Sequence, residues 1–159
     1  MNQSTFSENL PKYMNREVAL AHQNPDKPIE GGWHIYPESA AAGLWTTSVD
    51  LAKFLISLSE AYLGTDCPTL STRLAKEMLT PQIGNYGLGP GLGGEGNNLL
   101  FAHPGGNMGF RSFTIMYPHL GKGLVVMSNA DKGGDLNMEI VRAVALVYDW
   151  PDFKPEIKE

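Results

Sequence analysis

Residues 101–110 form the stretch Phe101-Ala102-His103-Pro104-Gly105-Gly106-Asn107-Met108-Gly109-Phe110. The ring of His103 follows a short apolar run at 99–102, and three glycines lie among the six residues after it. The next run, 110–117, is aromatic and β-branched, which is typical of a strand. Because glycine has no Cβ, a ligand can approach its backbone closely. The stretch therefore predicts a strand, a glycine-rich opening and a second strand, with His103 at a sheet edge that a ligand can reach.

Two helices are predicted before this stretch. Residues 46–48 are hydroxyl side chains suited to an N-cap, and apolar positions then recur at helical spacing until Gly64, which predicts a helix at 48–63. Ser71 is a second N-cap candidate, and the shorter helix that it begins is ended by Pro81.

Antiparallel strands are predicted around the stretch. A brief strand is expected at 86–89, a longer one at 98–103, and a partner at 123–129 for the strand at 110–117. The connection 118–121 contains Pro118 and Gly121, so the last two strands form a hairpin with a four-residue turn.

A final helix begins within 131–135 and ends near Trp150, with Leu136, Ile140, Val144 and Val147 on one face. The predicted fold class is therefore α+β: an antiparallel sheet of about three strands, plus short extended pieces, flanked by helices. We expect a single domain over 1–159, with a loop-rich wrap at 1–30 and a helix–sheet–helix portion at 31–159.

Composition and charge narrow the function classes. The chain has 159 residues, is 42% hydrophobic and carries a net charge of −5, without a local cluster of Lys and Arg. These values predict a globular domain and argue against a nucleic-acid binder. No apolar run approaches the roughly 20 residues of a membrane-spanning helix. Residues 1–8 do not resemble a signal peptide, so the compartment stays open.

No metal or cofactor is predicted. His22, His34 and His119 lack the spacing of metal ligands. Two overlapping G-x-G-x-x-G patterns at 89–96 are interrupted by a proline and precede a strand instead of a helix, so they do not indicate a dinucleotide site. The one cysteine, Cys67, excludes an internal disulfide, and without a basic neighbour it is expected to be an inert thiol.

The order of these parts resembles the serine β-lactamase and penicillin-binding-protein family. The similar parts are the helix introduced by Gly-Leu-Trp-Thr-Thr-x-x-Asp-Leu-Ala-x-Phe at 43–54, the His-x-Gly-Gly-x-x-Gly-Phe sequence at 103–110, the Pro-turn hairpin, the Ser-Asn-Ala at 128–130 and the terminal helix. The similarity is closest to the class C β-lactamase-like branch, which includes esterases and D-amino-acid peptidases. It extends over nearly the whole chain, and it implies the C-terminal portion of a β-lactamase/transpeptidase-like fold.

The resemblance implies a serine acyl-transfer enzyme and assigns roles to residues. His103 falls on the family's Lys/His position beside the acyl site, and the backbone N–H of Gly106 falls on its second oxyanion-hole donor. Gly105, Asn107 and Arg111 are the expected substrate-binding residues, with a solvated strand surface as the alternative for Arg111. Pro104 replaces the hydroxyl residue common in the family, so the resemblance supports an ester or amide substrate at least as well as a β-lactam.

The family's nucleophile has no counterpart here. No serine is followed three positions later by lysine, and Tyr13-Met14-Asn15 is the one Tyr-x-Asn triplet that resembles the family's proton-transfer motif. We therefore expect a C-terminal fragment that lacks the upstream nucleophile region and is inactive alone, binding a small-molecule or peptide substrate only with the missing half.

The sequence also allows a function without catalysis. An uncovered strand can pair with another chain. The chain would then be a non-catalytic binding or assembly module, homo-oligomeric through its sheet edge.

Overall fold

In the computed structural model, helices flank an antiparallel sheet. The structure describes residues 1–8, 10–11, 14, 18–24, 26–65, 67–151 and 153. Among the described residues, no helix combines the length and apolarity needed to cross a membrane. The elements follow one another as β1 (His22–Asn24), β2 (Lys27–Pro28), α1 (Ser39–Ala42), α2 (Ser48–Leu63), α3 (Thr72–Met78), β3 (Gly91–Gly93), a short 3₁₀ turn (Gly96–Asn98), β4 (Leu100–Asn107), β5 (Phe110–Tyr117), β6 (Lys122–Ser128) and α4 (Gly133–Val147).

Helix α2 has the predicted bounds, and its ends show why. The hydroxyl of Thr47 accepts a hydrogen bond from the N–H of Asp50, which satisfies one of the free donors at the helix start. Gly64 ends the helix in the left-handed conformation at φ 92°. The prediction for 48–63 is confirmed, as is the cap of α3 at Ser71, whose hydroxyl accepts from the N–H of Leu74.

The main sheet has the order β3-β4-β5-β6, with every neighbouring pair antiparallel. The four-residue connection between β5 and β6 confirms the predicted hairpin. The brief strand predicted at 86–89 is wrong. Tyr86 makes only isolated bridges, Gly89 turns the chain at φ 111°, and the strand that pairs with β4 is β3.

Strand β4 runs further than predicted. It continues through both glycines to Asn107, and only Met108 and Gly109 lie between β4 and β5. The glycine-rich opening expected between two strands is therefore part of the first strand. The two-residue turn forms because Gly109 adopts φ 78°, which is suited to the third position of a type II turn.

Two hydrophobic clusters lie on opposite faces of the sheet. Leu55 and Leu58 of α2 pack with Phe101 and Met116 on one face. On the other face, Ala145 of α4 and Trp150, which follows α4, form a cluster with Ile115 and Tyr117 of β5. Leu100 and Ala102 of β4 pack against this cluster. Since side chains alternate along a strand, the odd-numbered residues of β4 face α2 and the even-numbered ones face α4.

The packed face of α4 differs from the prediction. Val141 and Ala145 are fully buried, and Val144 is partly buried in the second cluster. Leu136, Ile140 and Val147, which were predicted to share the apolar face with Val144, are 53%, 37% and 78% exposed. Periodicity identified the helix, but several apolar faces were available and contact with the sheet selected one of them.

Candidate functional site

A cavity of about 880 Å³ is lined by α2 and by residues of three strands, including His103 of β4, Ser112 of β5 and Met127 of β6. Leu51 and Phe54 of α2 contribute to one wall, residues 39–47 to another, and residues 103–107 of β4 to a third. Among the described residues that line it, Glu8 and Arg111 are the ones with a formal charge. Cavities of this size, mostly apolar with a few polar groups, are typical of small-molecule sites.

His103 lies in this cavity wall with its side chain exposed. It is an odd-numbered residue of β4, so its ring is on the α2 face, as is the buried Phe101. Its carbonyl oxygen accepts a hydrogen bond from the hydroxyl of Thr114, 3.2 Å away on the neighbouring strand. The backbone at His103 is thus held by the sheet, while its imidazole is accessible from the cavity.

The strand register determines where the Gly106 N–H points. Asn107 and Phe110 close the two-residue turn, so they form a hydrogen-bonded pair. Hydrogen-bonded pairs alternate with non-hydrogen-bonded pairs along an antiparallel ladder. The next pair, Gly106–Arg111, is therefore non-hydrogen-bonded, and the Gly106 N–H points away from β5. On that side β3 pairs only as far as Ala102, so this N–H faces a stretch of the β4 edge without a strand partner among the described residues, and Gly106 is one of the residues that line the cavity.

Two further observations support this register. The N–H of Leu92 in β3 donates to the carbonyl of Asn85 and so points away from β4. This is what the alternation predicts, because Leu92 faces Phe101 in a non-hydrogen-bonded pair. Pro104, which has no N–H, occupies another outward-facing position, where a strand loses no ladder hydrogen bond.

A side chain at Gly105 would compete for space with the hydroxyl of Ser112. A Cβ on Gly105 would overlap the hydroxyl of Ser112, which is its cross-strand neighbour and also lines the cavity. On Gly106, by contrast, a Cβ would meet Arg111 only at ordinary contact distance, 3.5 Å. The two adjacent glycines therefore differ: a side chain at Gly105 would force the Ser112 hydroxyl to move, whereas Gly106 has space for one and directs its N–H out from the strand edge.

Asn107 and Arg111 make contacts within the chain. The Asn107 amide donates to the carbonyl of Ala42 at 2.9 Å, which ties the end of β4 to α1. Nη1 of Arg111 donates to the carbonyls of Asn107 and Phe110, each at 2.7 Å, and Nη2 lies 2.8 Å from Oδ1 of Asp131. Substrate binding by these two residues remains a prediction, and their contacts hold the turn that follows Gly106.

Two residues that hold this turn were not predicted from the sequence. The carboxylate of Asp131 accepts the N–H of Gly109 at 3.0 Å, and the hydroxyl of Tyr36 accepts the N–H of Met108 at 2.9 Å. The one available signal for Asp131 was its charge, opposite to that of Arg111. Nothing in the sequence around Tyr36 indicated a contact 72 residues away.

Tyr13 and Asn15 of the Tyr-x-Asn triplet are outside the described residues. Among the residues that the structure describes, no group of three or more His, Cys, Asp or Glu could hold a metal ion.

Cys67 is not among the residues that line the cavity. Hydrogen bonds from the hydroxyls of Ser57 and Thr69, each 3.1 Å from Sγ, lower the pKa of its thiol from 9.0 to about 7. The sequence prediction of an inert thiol relied on the absence of a basic neighbour, whereas here hydroxyl donors stabilise the thiolate; the reactivity of Cys67 stays a prediction.

The chain matches a known family profile over most of its length. The family profile described as Beta-lactamase matches residues 4–149, which is most of the chain. A search of curated proteins gave no significant match.

Proposed function

The chain belongs to the β-lactamase family, and from this premise we propose that it provides the His-x-Gly wall of a serine acyl-transfer site. The substrate would be an ester, an amide or a β-lactam. The observation that supports this most directly is the pair His103 and Gly106 on one cavity wall, with the Gly106 N–H directed outward at the strand edge.

The proposed chemistry uses these two groups in different ways. The Gly106 N–H donates to the oxygen on which negative charge develops when a serine attacks the acyl carbon, and loss of one such donor costs about 3–4 kcal/mol of transition-state stabilisation. The His103 imidazole lies on the same wall and assists proton transfer to or from the reacting groups.

The nucleophile is proposed to come from polypeptide outside these 159 residues. No Ser-x-x-Lys is present in the sequence, although the family's chemistry requires an activated serine. Ser112 and Ser128 line the cavity, but none of the described residues beside them there is a lysine. The chain alone is therefore proposed to be inactive.

Covalent labelling tests this proposal. After incubation of the isolated chain with a fluorophosphonate, intact-mass spectrometry should show no adduct, and an activated ester or a penicillin should give no acyl-enzyme burst. If the chain is labelled stoichiometrically and the label is lost in Ser112→Ala or Ser128→Ala, the chain has its own nucleophile and the proposal is refuted. An in-frame Ser-x-x-Lys and Tyr-x-Asn in the coding sequence before residue 1 would support it.

The β6 edge favours a second candidate function, a module that assembles through its sheet. Strand β6 ends the sheet order, and its outer side has no strand partner among the described residues. An unpaired edge of seven residues is a template for pairing with another strand. Size-exclusion chromatography over a range of concentrations tests this candidate, and a strict monomer throughout would eliminate it.

A further inference from the structure

The turn after Gly106 is held by a cluster of charged and polar contacts, which we call the turn clamp: Arg111, Asp131 and the backbone of residues 107–110. We propose that Arg111 and Asp131 are positioning residues that set the orientation of the Gly106 N–H. The inference rests on the proposed function of Gly106, and it adds a role for two side chains that need not touch the substrate.

The backbone on either side of the Gly106 N–H is intrinsically free to rotate. Gly105 and Gly106 are adjacent, and glycine adopts more backbone conformations than any other residue. A catalytic hydrogen-bond donor must nevertheless be held within a narrow range of orientation. On its N-terminal side the strand is restrained by the ladder and by Ser112, which fills the space beside Gly105. Another restraint is needed on the C-terminal side.

The turn clamp supplies that restraint. Arg111 is directly opposite Gly106 in the register, and its guanidinium bridges the carbonyls of Asn107 and Phe110 to the carboxylate of Asp131. The same carboxylate oxygen accepts the N–H of Gly109. Asn107, Gly109 and Phe110 are thereby linked to one ion pair, and a rotation of the strand end would break several hydrogen bonds together.

Asp131 is itself fixed by the fold. Its N–H donates to the carbonyl of His22 at 2.9 Å, and the N–H of His22 in turn donates to the carbonyls of Gly109 and Asn129. The two charged side chains are partly buried, at 33% exposure for Arg111 and 23% for Asp131, so solvent screens their attraction less than on an open surface. Arg111 is thus bound within the chain, and it acts on the site through the backbone.

Residual dipolar couplings of the ¹⁵N-labelled 159-residue chain test the inference, because they report the orientation of individual N–H bonds and need no substrate. Asp131→Ala removes both contacts of the carboxylate, and Arg111→Lys keeps the charge but loses the planar fork. Asp135→Ala is the control, since Asp135 is an exposed acid in the first turn of α4.

The Gly106 coupling should fall outside the range spanned by wild type and Asp135→Ala in both clamp variants, with a smaller change in Arg111→Lys. Couplings of the central β5 residue Ile115 should not change. A lower melting temperature with an unchanged Gly106 coupling would overturn the inference, because the clamp would then only stabilise the fold. If Asp131→Ala does not fold, Asp131→Asn and Arg111→Lys decide by the same criterion.

This outcome is independent of the proposed chemistry. If a serine of the chain is labelled by the fluorophosphonate, the proposed origin of the nucleophile is refuted. A change of the Gly106 coupling in the clamp variants would still support the positioning role. An unchanged coupling would refute the positioning role and leave the proposed function standing.

Discussion

At the scale of single residues, the candidate site depends on positions where a side chain would collide with its neighbours. The space beside Gly105 is filled by the hydroxyl of Ser112. At Gly109, a Cβ would lie 2.6 Å from Cβ of Ala21, and the backbone has φ 78°. Close approach of neighbouring backbone or side chains, and at Gly109 also the left-handed conformation, explain why these positions are glycine.

The first prediction concerns Gly105. Gly105→Ala should lower the free energy of unfolding by about 1–3 kcal/mol, because the new methyl group overlaps Ser112. The double variant Gly105→Ala/Ser112→Ala should recover most of the loss, since the remaining Ser112 Cβ lies 3.6 Å away. Urea denaturation measures both changes.

The control for this experiment is Gly134→Ala. Nothing lies within 4 Å of a Cβ at Gly134, so we expect no loss of stability there, and the higher helix propensity of alanine in α4 should raise the free energy of unfolding by up to about 1 kcal/mol. An equal loss in the single and double variants at Gly105 would show that Ser112 is not the cause.

The second prediction concerns the Cys67 thiol. Its pKa of about 7 comes first from the Ser57 hydroxyl and then from Thr69. The rate of alkylation by iodoacetamide should therefore be half-maximal near pH 7, and Ser57→Ala should move this midpoint towards 9.0. Ser48→Ala, a change at an exposed serine of the same helix, is the control. A midpoint that Ser57→Ala does not move would contradict the hydroxyl explanation.

At the scale of elements, α2 joins the N-terminal residues to the sheet. The N–H of Gln3 and the hydroxyl of Ser4 donate to Oδ2 of Asp50 at 2.7 and 2.9 Å, and Thr5 pairs with Trp45. Lys53 adds an ion pair at 3.2 Å. The acid in the first turn of α2 therefore has two functions: it complements the helix dipole, and it anchors a segment 46 residues away.

The third prediction is a pH dependence from this contact. The hydrogen bond from Gln3, followed by those from Ser4 and Lys53, holds the Asp50 pKa below its usual 3.8. A carboxylate with a lowered pKa in the folded state stabilises the fold above its unfolded pKa, and this contribution is lost as the pH falls through the folded value. Asp50→Asn should thus lower the melting temperature at pH 7, by on the order of 5 °C, and by progressively less as the pH falls below 3.8.

Glu60→Gln is the matched control, because Glu60 is an exposed acid of the same helix. Calorimetry at several pH values gives the comparison. A difference between Asp50→Asn and wild type that does not shrink on acidification would show that the Asp50 charge is not what holds the N-terminal segment.

At the scale of the whole molecule, helices cover the two faces of the sheet and its lateral edges differ. The edge at 103–107 belongs to the candidate site, while the outer side of β6 is free of strand partners among the described residues. The alternation that places the Gly106 N–H outward also directs the N–H groups of Val125 and Met127 outward from β6.

The fourth prediction belongs to this edge. If the chain self-associates through β6, Met127→Pro should shift it towards monomer, because the substitution removes an outward donor without breaking a bond to β5. Met127→Leu is the control, and sedimentation velocity is the measurement. If Met127→Pro self-associates as strongly as wild type, the contact between chains does not involve the β6 edge.

Local signals in the sequence were sufficient for several parts of this protein. Helix 48–63 has a cap, a helical period and a terminal glycine within one segment, and the hairpin 110–128 has two β-rich runs on either side of a Pro-Gly turn. The family resemblance depended on the same local motifs, and the match over 4–149 confirms it. Each of these features is determined by residues close to one another along the chain.

Tertiary structure decided the rest, because the deciding contacts join distant residues. Glycines 105 and 106 favour an opening when considered alone, and it is pairing with Arg111 and Ser112 that makes them strand. The buried face of α4 was selected by the sheet, and the contacts of Tyr36 and Asp131 with the turn span long stretches of sequence. Residue type established which groups were available for the site, and strand register established where the Gly106 N–H points.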